Sequence, residues 1–540
     1  MEASSANKNR QPGLMRTERA LWLIVAVSLS LFVLWPVGSV FVESFIKDGK
    51  FSLRAYEGLF TGNIGLVRDS FLLALAVTLA TILVSVAVAL RLVYGGERGR
   101  AVIIGVLVLS TISPPFLCSM AYLMLFGRRG LITWRLLGLE WNPYGFHGVM
   151  MMEAASLAGL ASLLIAASLN RVDGALERAS LDLGCSPLKT LTRVSLPLAL
   201  PGIGAAALVV FVRSLSDFGT PLFVGGRFQV LASRAYNTLI GVGDFQTACA
   251  MNVLLLLPAL LILSLRSFGG RNEVSGLAQA RSLKLPKWFL AIPGTVAWVF
   301  AAVQISVYGL IFLGSVTQTW GVDFSLTSRH LSAILSFRMD SIMRSLLCAL
   351  AAGLGGCLLS AVIVFLLPGA PAWVQKTVHI VADIPYLIPG TFLGVGYLLA
   401  FTRLPFEISA GFVIAMSCLF RQLSPSLRVA EAGAAHVNPA LRSAVRDLGG
   451  GPSRILKDLL LPLLYPFLRI GFLNAFSAAM TTTGPVIFLV SPYARVAAIE
   501  LFESINEGDF GAASAMGSLL IVIVAAVSGL AWRLSRERGR

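Results

Sequence analysis

One stretch of this chain is written twice. Residues 175–201, ALERASLDLGCSPLKTLTRVSLPLALP, and residues 440–466, ALRSAVRDLGGGPSRILKDLLLPLLYP, superimpose without a gap when one is slid onto the other by 265 positions. The shift sets Ala179 on Ala444, Asp182 on Asp447, Leu183 on Leu448, Gly184 on Gly449, Pro187 on Pro452, Pro197 on Pro462 and Pro201 on Pro466. It also carries Gly243-Asp244-Phe245 onto Gly508-Asp509-Phe510 and Met251 onto Met516. A chain that repeats itself at one offset is a duplicated module, so its fold is built from two related halves. A merely solvated loop is where sequence drifts most freely, so a polar stretch kept twice, glycine and prolines in register, has a task beyond joining two elements.

Around the repeats the chain is too apolar for a soluble protein: 56% of its 540 residues are hydrophobic and 13% charged. Apolar runs near the ~20 residues that a bilayer core demands recur at 21–45, 69–93, 101–126, 148–169, 201–224 and 248–266, then at 289–314, 343–367, 377–401, 409–430, 466–490 and 511–532. The expected fold is all-α, a polytopic membrane protein of about twelve transmembrane helices in two homologous six-helix halves. The expected domains are a cytoplasmic tail over 1–20, a first half over 21–266 with its polar loop at 170–200, a cytoplasmic linker over 267–288, a second half over 289–532 with its loop at 431–465, and a cytoplasmic tail over 533–540.

The net charge of +16 raises nucleic acid as a partner, but the basic residues are spread over short loops between apolar runs. Membrane topology accounts for them, so lipid and not nucleic acid is the expected partner. With the N-terminus inside, Lys and Arg on cytoplasmic segments outnumber those outside roughly twofold. That orientation places both polar stretches, and both termini, on the cytoplasmic side. The run at 21–45 is too long for a signal-peptide core and lacks a small-residue cleavage site, so it stays as a first span. Six cysteines form no CxxC and read as small buried hydrophobes; four scattered histidines take no ligand role. No catalytic cluster, metal set or bound cofactor is expected.

The local grammar of the polar stretch spells two short helices. Asp173 caps the first, Gly184 ends it in a left-handed turn, and Ser186 caps a second with Pro187 at its first position. Asn438, Pro439, Gly449 and Pro452 repeat the pattern. On the first helix Leu176, Ala179 and Leu183 form an apolar stripe beside Arg178 and Asp182, a face suited to a groove on a partner protein.

At these residues the chain resembles the membrane subunits of binding-protein-dependent ABC importers. Their motif runs glutamate-alanine-alanine, three residues, glycine, nine residues, isoleucine, one residue, leucine-proline. Here Gly184 is followed by Val194-Ser195-Leu196-Pro197 and Gly449 by Leu459-Leu460-Leu461-Pro462, at that spacing. The front of the motif departs from it as Arg178-Ala179-Ser180 and Ser443-Ala444-Val445, with Glu177 one residue earlier. The resemblance, which covers nearly the whole chain, implies a type I importer permease of the bacterial inner membrane. It implies coupling residues Leu176, Glu177, Arg178, Ala179, Asp182, Leu183, Gly184, Pro187 and Pro197 in one loop, and Leu441, Ala444, Asp447, Leu448, Gly449, Pro452 and Pro462 in the other. It also implies two copies of a separate ATPase that holds ATP and Mg, since no GxxxxGK[ST] occurs here, and a periplasmic or lipid-anchored solute-binding protein. Fused double permeases with Ser216-Asp217-Phe218-Gly219-Thr220-Pro221 after the first loop are similar to ferric-iron permeases, with 2-aminoethylphosphonate or another phosphorylated small molecule as the alternative cargo.

Candidate pathway residues follow each loop. Arg213 and Asp217, at i and i+4, either line a cavity together with Thr220 or pair with each other; Thr481, Thr482 and Thr483 either bind solute or pack helices. The GxxxG at Gly390 and Gly394 reads first as close helix packing. One rival class remains, a twelve-span secondary transporter, although it would more typically show intramembrane carboxylates for ion coupling and has no reason to keep the loop twice; a membrane-embedded enzyme needs a cluster of acids, histidines or metal ligands at one membrane face, and the sequence offers none.

Overall fold

The computed structural model describes residues 12–47, 49–114, 116–128, 130–139, 142–268, 283–405, 407–491 and 494–537. Most of the expected tail 1–20 and linker 267–288, including Lys8, Arg10, Arg271 and Arg281, lies outside the described residues, as do 538–540. The described residues are overwhelmingly helical; their strands form two short antiparallel hairpins, Ile46–Lys47 with Lys50–Phe51 and Thr317–Thr319 with Asp323–Leu326.

Among the described residues eight helices are long and apolar enough to cross a membrane: Thr17–Ser44, Ile64–Tyr94, Phe146–Asn170, Pro187–Leu215, Lys287–Val316, Met339–Gly369, Pro452–Thr481 and Phe510–Ala531. The expected spans at 101–126 and 377–401 are not straight. Arg100–Ile112 meets Leu117–Leu136 at 103°, and Ala372–Leu387 meets Gly390–Thr402 at 107°. Proline explains both bends. Ser113 before Pro114, and Ile388 before Pro389, are extended, because the proline ring excludes the helical conformation from the residue ahead of it. The expected 409–430 span likewise divides into Ala410–Arg421 and Leu423–Ala434, since Pro425 has no N–H to give to the Arg421 carbonyl.

The membrane helices turn small and hydroxyl-bearing residues inward, among buried aliphatics such as Leu73 and Val77. On Ile64–Tyr94 the exposed apolar positions are Phe71, Leu72, Leu75, Leu79 and Leu83, while the buried face carries Ser70, Ala74, Thr78, Thr81, Ser85 and Ala89. Lipid is as apolar as leucine, so large aliphatics gain nothing by turning inward, whereas small residues let helices approach. Met339–Leu366 repeats the arrangement, with Leu347, Leu354 and Leu358 outward and Ser345, Ala349, Gly353 and Ser360 inward. Here the register of the repeat is 275, not 265, as Ser70 and Ser345 show. Each of these serines accepts the N–H of the first residue of a short helix, Leu231 at 2.8 Å and Ala497 at 2.7 Å. The first half spends its additional residues on the excursion through Leu131–Leu136.

By packing, the chain divides into two compact units that are not the expected halves 21–266 and 289–532. One is drawn from Met1–Glu43, Arg338–Ile499 and Val522–Arg540, the other from Ser44–Phe337 and Glu500–Ile521. Each half has given its leading helix to the unit of the other. Thr17–Ser44 is fixed in the unit of the second loop: the Tyr397 hydroxyl donates to the Phe32 carbonyl at 2.7 Å, and Arg403 grips Glu43 through two bonds of 2.9 and 3.0 Å. Lys287–Val316 is fixed in the unit of the first loop, where Gln304 donates to the Ala155 carbonyl at 2.8 Å and the Tyr308 and Ser113 hydroxyls meet at 2.8 Å. The GxxxG glycines pack closely, Gly390 and Gly394 lying against Gly484 and Pro485.

Candidate functional site

In the first polar stretch Asp173 accepts the Ala175 N–H at 2.8 Å and opens the helix Gly174–Asp182. Leu183 caps it and Gly184 follows at φ +82°, so that Cys185 N–H reaches the Ser180 carbonyl and Gly184 N–H the Leu181 carbonyl. A Cβ on Gly184 would meet nothing within 4 Å. Backbone conformation, not space, demands glycine there. Asn438, helix Pro439–Asp447, Leu448 and Gly449 at φ +75° reproduce the geometry in the second stretch.

Both loop helices present the same apolar positions to the outside. Leu183 and Leu448 are each 85% exposed, and Leu176, Leu441, Ala179 and Ala444 are exposed beside them. Asp182 and Asp447 are exposed as well, while Arg178 is half-buried. Glu177 points the other way. It is fully buried, and its Oε1 accepts from the Tyr94 hydroxyl and the Ser195 hydroxyl, both at 2.8 Å. The Ser180 and Thr190 hydroxyls meet at 2.9 Å in the same joint. Glu177 thus ties its loop helix to two membrane helices. In the second loop the corresponding positions are Arg442, Leu460, Val445 and Ile455, of which Ile455 and Leu460 are buried. Arg442 is half-buried; desolvation, then the charge of Arg446, draws its pKa below the ordinary guanidinium value.

The second short helix of each stretch does not stop before the membrane. Pro187 and Pro452 each begin a helix that runs unbroken to Leu215 or Thr481, so the expected span starts at 201 and 466 lie well inside continuous rods. Pro197 and Pro462 are accommodated because the carbonyls opposite them, of Arg193 and Asp458, lie in π-bulges at Leu191–Ser195 and Ile455–Leu460; Pro201 and Pro466 lie inside the helices that follow. Pro187 and Pro452 sit at the first turn, where no N–H is missed.

Both rods end short of the expected 224 and 490, and the candidate pathway residues gather at those ends. Arg213 is exposed in the last turn of the first rod, and Asp217 lies beyond the helix C-cap Ser216. The two do not form an ion pair; Asp217 accepts the N–H groups of Gly219 at 2.9 Å and Thr220 at 3.2 Å, capping Gly219–Val224. Thr220 is buried. At the end of the second rod Thr481 is buried and donates to the Ser477 carbonyl, Thr482 is the extended C-cap, and Thr483 is buried. Non-helical backbone inside a membrane bundle is tolerated only against protein or a wet cavity.

Two buried carboxylates escaped the sequence reading. Glu153, 1% exposed on Phe146–Asn170, accepts a hydrogen bond from Ser214. Asp383, 5% exposed on Ala372–Leu387, accepts from Ser424 and from Arg428 at 2.7 Å, and Arg428 leads on to Glu431 and His379. A lone acid in an apolar run was the available signal for each.

Spans whose small residues face inward, and a polar loop built twice with one outward face, define the class: a polytopic α-helical membrane permease of two related halves. Residues 81–270 match the family described as binding-protein-dependent transport system inner membrane component. The ferric transport system permease protein FbpB of Actinobacillus pleuropneumoniae is 27% identical over 537 residues, 94% of this chain and 76% of that protein. A putative 2-aminoethylphosphonate transport system permease protein, PhnU, of Salmonella choleraesuis is 26% identical over 258 residues, 45% of this chain and 90% of that protein. The molybdenum transport system permease protein ModB of Haemophilus influenzae is 30% identical over 174 residues, 30% of this chain and 76% of that protein. The chain belongs to this family, the membrane permeases of ABC importers, and is a transport subunit.

Proposed function

We propose that this permease imports ferric iron across the bacterial inner membrane, with both termini and both polar loops in the cytoplasm. Each loop docks on one of two copies of a separate ATPase, which holds ATP and Mg; the permease itself binds no cofactor. A periplasmic or lipid-anchored protein delivers the solute from outside. The observation that carries the coupling role is the matched pair of outward faces, Leu176-Ala179-Leu183 and Leu441-Ala444-Leu448, each at the head of a rigid rod. Closure of the ATPase dimer on ATP pushes the loops together, and rods that start at Pro187 and Pro452 carry the push into the membrane without a hinge between loop and span. The work comes from the different affinity of the ATPases for ATP in the two states. Arg213, Asp217, Thr220 and Thr481–Thr483, at the far ends of those rods, stand where solute passes.

The ferric reading is supported by the similarity to FbpB along 94% of the chain. The phosphonate reading is favoured by PhnU over 45% of it. Proteoliposomes holding the permease, its ATPase and its binding protein decide between them: radioactive iron accumulating with ATP supports the first. Accumulation of 2-aminoethylphosphonate and no iron would falsify it and leave the coupling mechanism standing.

A further inference from the structure

Three acids are buried among the described residues: Glu177 in the loop joint, where two hydroxyls hold one oxygen, and Glu153 and Asp383 on membrane helices, which are treated differently. Asp383 has Arg428 at 2.7 Å, the compensation that a desolvated charge requires. Glu153, more deeply buried, has no cation. Its Oε2 takes the Ser214 hydroxyl, and its Oε1, sealed from solvent, has no hydrogen-bond partner. One turn after Ser214 stands a second carboxylate, Asp217, whose N–H bonds to the Ser214 carbonyl at 3.1 Å. Among the described residues neither carboxylate is ion-paired, and Arg213 is exposed instead of answering Asp217. Ionisable side chains at membrane depth face one another or a cavity and mark ion pathways.

The position agrees. Glu153 lies about 25 Å along its helix from Asn170, where the first loop begins, at 1.5 Å per residue. Ser214 is at the end of the rod that Pro187 starts. The pair therefore sits at the end of the bundle remote from the loop, where the rod breaks.

We propose that Glu153 and Asp217, with the Ser214 and Thr220 hydroxyls beside them, form a way station for a metal cation that prefers hard oxygen ligands, in the first half alone. Two carboxylates and hydroxyls suit a hard, highly charged cation and repel a phosphonate or any other anion. The inference rests on the import reading above and gives its cargo a chemical class. By the 265 shift Glu153 and Asp217 correspond to Cys418 and Thr482, so the second half offers no second copy.

Terbium(III) is a redox-inert probe of such a site. Tyr236, stacked on Phe218 with ring centroids 5.5 Å apart, is the aromatic donor for its sensitised emission. The full chain in lipid nanodiscs is expected to show one saturable high-affinity class that is lost in Glu153→Gln, weakened roughly tenfold in Asp217→Asn, which keeps the helix cap, and retained in Glu153→Asp. Equal titrations of wild type and Asp217→Asn, or of wild type and an inserted Glu153→Gln, overturn the site. Iron uptake by the complete importer separates the two ideas. Unchanged uptake in both variants sinks the way station and spares the ferric reading. If wild type imports no iron, the ferric reading falls, and the terbium comparison by itself upholds or overturns the cation site.

Discussion

The two polar loops share a backbone and are fastened by opposite chemistry. The first is tied down by hydrogen bonds: Glu177 to Tyr94 and Ser195, Ser180 to Thr190, and Ser186 capping the rod through the Lys189 N–H. The second puts Val445, Ile455 and Leu460 at three of those places, and Gly451, which has no capping side chain, at the fourth. What both loops keep is turn chemistry: an Asx cap, a glycine at positive φ, and a proline at the head of the rod. The shape of the loop is therefore set by its punctuation, and the joint beneath admits either polar or apolar filling. The two fillings fail differently. Burying a leucine or isoleucine side chain stabilises by roughly 1.5–3 kcal/mol, while a buried hydrogen-bonded trio is near balance until one member is removed and the others are stranded.

Changing the shared punctuation should have the largest effect. Proline holds φ near −65°, so Gly184→Pro or Gly449→Pro destroys the left-handed turn and, by about 3 kcal/mol or more, the loop; iron uptake should vanish with the chain still inserted, and normal uptake in both variants would sink the coupling role. Next comes Leu460→Ser, which empties the apolar joint and buries an unpaired hydroxyl, at about 2–5 kcal/mol. Thermal unfolding in detergent would read it. Glu177→Ala strands the Tyr94 and Ser195 hydroxyls at about 1–3 kcal/mol, seen as faster amide exchange over 174–195, whereas Arg442→Ala at the matching place should change exchange over 439–460 little. Equal responses from the two would erase the distinction between the joints. Smallest in stability, within about 0.5 kcal/mol, are Leu183→Ser and Leu448→Ser, both on exposed tips. Their expected signature is loss of ATPase co-purification from a fully folded permease, strongest when the two are combined.

The features legible in the sequence were those written in local code. Asp173, Gly184, Ser186 and Pro187 each act on a neighbour within a few residues, so their roles could be read from spacing, and so could the outward stripe of Leu176, Ala179 and Leu183. The expected span starts at 201 and 466 proved too late, because each helix already runs through those prolines from the loop. In the opposite direction, Pro389 inside an unbroken apolar run marked a bend that hydropathy alone cannot register. Glu153 and Asp383 were missed because depth and partners are set by packing, and one carboxyl among apolar residues does not disclose either. Helix periodicity also carries no record of which bundle a helix will join, so the exchange of leading helices was out of reach.

That exchange has a consequence for how the molecule is made. Glu43 must wait for Arg403, and the Phe32 carbonyl for Tyr397, until the ribosome has delivered the second half. At roughly 5–20 residues per second, the interval from the first helix to its acceptor unit lasts on the order of 15–60 s. For that time the nascent N-terminal helix stands in lipid as an unclaimed strut, and a chain cut off after its first half would present the membrane quality-control machinery with one helix too many and one too few.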